Sequence, residues 1–125
     1  MKLTRKQRYK TIEANPLDRQ YKVTMLRKAK IRAKKRNIYF DLNVDDIFIG
    51  RECPILGIPF EVGKDNWQNS PSLDRINNNR GYEKDNVIVV CMMANSIKNQ
   101  ATPKQIKKVA DFYEKVYEKK HINID

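Results

Sequence analysis

Between Asp74 and Lys98 the chain gathers side chains suited to handling phosphate. Asp74 stands at the end of a short strand, a Gly-containing turn follows, and Asn86 precedes an apolar strand that leads into Cys91, Asn95 and Lys98. Hydrolysing a phosphodiester requires charge on the leaving oxygen to be stabilised and a water to be activated, and a divalent ion does the first by Lewis acidity. A carboxylate and an amide oxygen are hard donors that suit Mg²⁺ or Mn²⁺, ions that keep several waters and take phosphate oxygens. Two antiparallel strands and a crossing helix would bring Asp74 opposite Asn95. Each residue also has a plainer use. Asp74 can be a turn aspartate paired with Arg75 or Arg80, Asn95 a helix-surface amide, and Asn86 the cap of a turn.

The elements that must position these residues are short. Ser72–Ile76 and Val87–Val90 read as strands, joined by the Asn-rich turn 77–82, and a helix starting near Cys91 carries Asn95 and Lys98. Upstream, Asn15-Pro16-Leu17-Asp18 is a helix start with Asn15 as cap and Pro16 in the first turn. That helix runs to about Arg36, with Tyr21, Met25, Leu26, Ala29 and Ala33 as its apolar stripe and Asn37 ending it in a left-handed conformation. Ile38–Leu42 reads as a strand, and Asn43-Val44-Asp45-Asp46 caps a short helix containing Ile47 and Phe48. Cys53–Phe60 suits a tight hairpin or turn, and residues 63–71 a polar loop in which Trp67 anchors the chain. Thr102-Pro103-Lys104-Gln105 is a capping box. Behind it Ile106, Val109, Ala110, Tyr113, Val116 and Tyr117 mark an amphipathic helix expected to cover the core.

The chain of 125 residues carries a net charge of +11, and the excess is local. Residues 1–37 hold 14 Lys and Arg against Glu13 and Asp18, whereas residues 38–125 hold 12 against 13 acidic residues. A basic segment on a near-neutral body calls for a polyanion, because neutralised phosphates release condensed counterions. Nucleic acid fits better than a membrane surface, since the segment offers few bulky apolar residues for insertion. Lys28, Arg32, Lys34, Lys35 and Arg36, with Arg75, Arg80 and Lys98 nearer the motif, are the candidate phosphate contacts. Two cysteines cannot build a disulfide framework, and no apolar run reaches a membrane span. A collagen or repeat array is likewise excluded, and a cytoplasmic protein is expected.

The Asp74–Lys98 window resembles the HNH, or ββα-metal, nuclease motif. Asn86, the strand, Cys91, Asn95 and Lys98 look like that family's asparagine, strand, Cys-x-x-Cys-(His/Asn)-x-x-Lys ending. Cys53-Pro54-Ile55-Leu56 looks like the Cys-x-x-Cys knuckle that often precedes it, with one cysteine of the pair replaced. The stretch from Lys30 to Tyr113, including Ala33-Lys34-Lys35-Arg36, Cys53-Pro54-Ile55-Leu56-Gly57-Ile58 and Ser72-Leu73-Asp74-Arg75-Ile76, is similar to small phage-borne HNH-like proteins. The resemblance implies an α+β fold: a small ββα-metal core preceded by a basic helix and followed by a C-terminal amphipathic helix. Its divisions are a flexible basic arm (1–14), a basic helix with a short strand and helix (15–50), and the ββα unit with its C-terminal helix (51–125). It implies Asp74 and Asn95 as ligands of Mg²⁺ or Mn²⁺, and Asn86 as the residue orienting a general base. The site set is then Asp74, Arg75, Asn86 and Asn95.

The chain departs from the pattern at the base. The family places a histidine directly after the strand aspartate, and here Arg75 stands there. A guanidinium stays protonated and cannot abstract a proton. A second alignment, with the Asp-Arg-Gly-His variant of the fold, puts Asn77 in the base position, which gives no base either. His121, the single histidine, lies outside the motif and reads as a surface residue. Leu56 and Ala94 occupy two of the four cysteine positions of the family's zinc site, and structural zinc takes four ligands, so buried thiols and no structural zinc are expected. Three functions follow: a metal-dependent endonuclease acting on double-stranded DNA, a catalytically inactive HNH-like fold that binds nucleic acid, or a structural component of a nucleoprotein assembly.

Overall fold

The structure, a computed structural model, describes residues 14–16, 18–62 and 64–119. The basic arm up to residue 13 and His121 lie outside these. The first helix, α1 (Asp18–Arg36), turns Ala29 and Ala33 fully inward, with Tyr21, Met25 and Leu26 packed beside them. Its end follows from Asn37 at φ 55°. Ile38 N–H donates to Ala33 O at 2.8 Å and Asn37 N–H to Lys34 O at 3.4 Å, the paired bonds of a Schellman stop.

Asp18 Oδ1 accepts the N–H of Ile49 at 2.7 Å, and Asn15 N–H donates to Ile49 O at 2.7 Å, so the turn is used to hold the 47–50 segment. Ala14, at the end of the expected flexible arm, makes a β-bridge with Gly50.

Strand β1 is only Phe40–Asp41, shorter than Ile38–Leu42. The Asn43 capping box forms, but it opens a single 3₁₀ turn, Val44–Asp46, that stops at Ile47. Ile47, Phe48 and Ile49 are buried in extended chain instead of helix. Cys53–Phe60 makes the expected tight turn, with Gly57 at φ 69° and Glu52 bridged to Pro59. The loop at 63–71 contains a 3₁₀ segment, Lys64–Asn69, broken at Asn66. Trp67 is half-exposed on it and does not anchor the loop by burial.

Strands β2 (Pro71–Arg75) and β4 (Val87–Cys91) pair antiparallel with Leu73 opposite Val89 and Asp74 opposite Ile88. Between them, the Asn-rich turn also contains a strand unseen in the sequence, β3 (Tyr82–Glu83), which lies parallel to β1 with Phe40 opposite Tyr82. Gly81 permits this approach: a Cβ there would stand 2.8 Å from the Cβ of Tyr39. Helix α2 (Met92–Lys98) follows β4 directly, capped by Cys91.

Helix α3 (Pro103–Lys119) starts at the expected box, Thr102 N–H donating to Gln105 Oε1 at 2.9 Å and Gln105 N–H to Thr102 Oγ1 at 3.2 Å. It does not cover the core. None of its described residues is buried, and Val109, Phe112 and Tyr113 are each more than half exposed. The core is already closed by Ala29 and Ala33 of α1, Ile47, Ile49, and Leu73, Val87 and Val89 of the sheet. Segments 15–50 and 51–125 thus share one core, and the class is α+β. Among the described residues no helix is long and apolar enough to cross a membrane.

Candidate functional site

The antiparallel pair β2–β4 and the helix α2 bring one face of a strand against one face of a helix. Ser72 and Asp74 are two apart on β2 and share a face. Asn95 and Lys98 are three apart on α2 and share a side. Asn95 Nδ2 donates to Ser72 Oγ at 2.8 Å, and Lys98 Nζ reaches Asp74 Oδ1 at 2.9 Å and Oδ2 at 3.0 Å. Asp74 and Asn95, the pair that the resemblance implies as ligands, line one site, each bonded to a different partner. Ser72 is an addition to the expected set, although the two-residue alternation back from Asp74 points to it.

Above this floor lies an open cleft of about 470 Å³. Asp74, Arg75 and Asn95 line it, and so do Arg32 and Arg36 from the inward edge of α1. Lys28, one turn earlier, lines an adjoining groove with Arg32 and Ser72. Residues 28, 32 and 36 fall at i, i+4 and i+8, so they form one stripe down the helix. Lys34 and Lys35 are exposed on its last turn and line neither groove.

Arg75 is held from behind. Its Nη1 donates to the carbonyls of Asn78 at 3.0 Å and Arg80 at 2.9 Å, and its guanidinium lies 5.5 Å from the centre of the Tyr82 ring. The turn that carries those carbonyls is held at Asn77 and Gly81 by Asn86, which is 1% exposed. Asn86 Oδ1 accepts from Asn77 N–H at 2.9 Å, and its Nδ2 donates to the carbonyls of Asn77 at 3.1 Å and Gly81 at 2.9 Å. In this structure Asn86 pins the 77–81 turn, which in turn aims Arg75.

Two expected phosphate contacts are committed elsewhere. Arg80 pairs with Asp85 at 2.8 Å and Glu83 at 3.1 Å. The Lys98 ammonium is bound to Asp74 and to Asn78 Oδ1 at 3.2 Å, and it also donates to the Arg75 carbonyl. Asp74 does not pair with Arg75 or Arg80 as a turn aspartate would; Lys98 is its partner. Burial pushes the Asp74 carboxyl above its ordinary range, while Lys98 and Arg75 pull it back without cancelling that effect.

Asp74 and Asn95 present one carboxylate and one amide whose nitrogen is used on Ser72, leaving its oxygen for a ligand. These are donor types that an Mg²⁺-type ion takes, with one or two carboxylates and its remaining positions kept for water and phosphate, but here both Asp74 oxygens are bound by Lys98. The set is sparse: among the described residues there is no group of three or more His, Cys, Asp or Glu side chains.

Cys53 and Cys91 are free and buried behind the site. The Leu56 and Cys91 N–H groups donate to Cys53 Sγ at 3.5 and 3.3 Å, and the Ala94 N–H donates to Cys91 Sγ at 3.4 Å. Burial raises both thiols; N–H bonds and the Cys91 thiol outweigh it at Cys53, which is lowered, whereas Cys53 adds to it at Cys91, which stays raised despite its own N–H bonds. Ala94 packs with the two cysteines and Val90 in a small apolar cluster. Leu56, at the other position where the family has a cysteine, lies outside this cluster and is 42% exposed.

No protein-family model matches the chain, and comparison with curated proteins and with solved structures finds no match either.

Proposed function

We propose that the chain binds nucleic acid, double-stranded DNA above all, along α1 and its cleft, and acts there as an HNH-type endonuclease that uses Mg²⁺ or Mn²⁺. One observation carries this reading: Asp74 and Asn95 share an open cleft with Arg32 and Arg36 of the basic helix. A carboxylate at the floor and guanidinium groups on the wall can hold a phosphodiester beside a metal-ligand pair.

In this reading Asp74 and Asn95 would hold the ion, which would supply Lewis acidity at the scissile phosphate. Arg32 and Arg36 neutralise phosphate oxygens and set the backbone in register, as arginines do by paired N–H donation. Arg75 has one nitrogen fixed by turn carbonyls, and its remaining N–H groups face phosphate as donors, never as a base. Asn86 acts on Arg75 through the turn. The setting that the resemblance implies is the cytoplasm of a phage-infected bacterium.

A second reading, binding without cleavage, is favoured by the Lys98–Asp74 pair and by the absence of a histidine next to Asp74. Purified protein incubated with supercoiled plasmid in Mg²⁺, Mn²⁺ or EDTA separates the two. Metal-dependent conversion to open-circle or linear DNA, abolished in Asp74→Ala, is the expected result. Intact plasmid together with salt-sensitive gel shifts in both proteins would overturn cleavage and leave binding.

A further inference from the structure

Lys98 ends α2 with its ammonium among four oxygens. They are both carboxylate oxygens of Asp74 at 2.9 and 3.0 Å, Asn78 Oδ1 at 3.2 Å and the carbonyl of Arg75. The Lys98 side chain is 19% exposed and that of Asp74 10%. An ammonium has three protons and no acceptor, so the oxygens outnumber what it can satisfy linearly. A carboxylate, a side-chain amide oxygen and a backbone carbonyl are the donor types that hard divalent cations take. Behind the cleft, which Asp74 and Asn78 line and Lys98 does not, these oxygens form a cage around a positive charge that the chain supplies itself.

Burying the Asp74 carboxylate without a cation would be costly, and Lys98 offsets that cost. A divalent ion at the same oxygens would stand a few ångströms from the ammonium, where like charges in a partly buried site repel strongly. Occupancy of the cage by one cation therefore excludes the other. We infer that Lys98 is the resident cation of this cage and competes with a divalent ion for Asp74 and Asn78, so that metal enters only as the ammonium leaves. The inference rests on Asp74 being the metal ligand of the proposed site. It adds Asn78, and Lys98 as a positioning residue that sets how tightly metal is held.

Mn²⁺ binding followed by electron paramagnetic resonance, without any nucleic acid, tests this directly. Wild type is compared with Lys98→Met, Lys98→Gln and the double variant Asp74→Asn/Lys98→Met, and thermal melts are recorded with and without Mn²⁺. Both single variants should bind Mn²⁺ at least about tenfold more tightly than wild type, since a competing like charge is removed. The double variant should not show that gain. If the single variants unfold without metal, their refolding on Mn²⁺ addition supports the inference, and failure to fold in either condition overturns it. Equal Mn²⁺ affinity in wild type and both folded variants also overturns it. The two readings fail separately. Tighter Mn²⁺ binding with an intact plasmid removes cleavage but keeps the cage, whereas plasmid cleavage with unchanged Mn²⁺ affinity removes the cage's competition but keeps the nuclease.

Discussion

Asp74 is the residue on which the site's chemistry turns, and its surroundings make a pH signature. It is 8% exposed, and burial holds its carboxyl above the ordinary range against the pull of Lys98 and Arg75. The folded protein then binds the Asp74 proton more tightly than the unfolded chain does. Stability from this group is present at acid pH and is lost as pH rises through the raised value. Urea midpoints of wild type and Asp74→Asn, followed from pH 3 to pH 7, should show wild type losing ground to the variant as pH rises. A difference that stays flat, or that favours wild type with rising pH, would mean that the Lys98 pair outweighs burial. The faces that carry Asp74 and Asn95 can be named from strand and helix periods, although their role as ligands comes only from the resemblance. The carboxylate's actual partner cannot, because Lys98 reaches it from 24 residues away along a path that only the packing sets.

Among the elements, β1 is legible in the sequence within the Ile38–Leu42 strand, but β3 and its parallel pairing with β1 are not. Two residues carry too little alternation to register as a strand, and the pairing partner of Phe40–Asp41 lies some forty residues on. Its presence depends on Gly81, whose backbone comes close to Tyr39, and Tyr82 N–H donates to Tyr39 O at 2.8 Å. Gly81→Ala should push β3 from β1 and cost about 1–3 kcal/mol, the usual range for forcing extra atoms into a packed region. Chemical denaturation measures it, and a destabilisation below roughly 0.5 kcal/mol, typical of an unconstrained surface site, would show that the approach is loose. Helix α3 is a helix as its period predicts, but not the lid on the core that its apolar face suggests. Periodicity identifies such a face without saying what it meets, and here α1 and the sheet close the core without it.

For the molecule as a whole, charge distribution is the property most exposed to test. The net charge of +11 comes from the first 37 residues, and the fold brings part of it, Arg32 and Arg36, to the cleft that holds Asp74. Lys28 continues the stripe beside it. Replacing Lys28, Arg32 and Arg36 with Gln should weaken DNA binding across all sequences. The log-log salt dependence should flatten by roughly 0.9 for each duplex phosphate that is no longer neutralised. Fluorescence anisotropy at a series of salt concentrations reads this. An unchanged slope would place the phosphate-binding groups elsewhere on the basic segment. Lys34 and Lys35, outside both grooves, should contribute less than the stripe does.

The amino-acid sequence by itself determined the local elements and the candidate residues. The stop at Asn37, the boxes at Asn43 and Thr102, and the strands flanking the Asn-rich turn all follow from interactions within a few residues or from the period of one element. Tertiary structure alone decided which charges were spent and which stayed available. Lys98 and Arg80 are cations like any other in the sequence, but the fold gives the first to Asp74 and the second to Asp85 and Glu83. It leaves Arg32 and Arg36 facing the cleft. The physical reason is that an ion pair acts between atoms about 3 Å apart, and a chain brings such atoms together from any separation along its length.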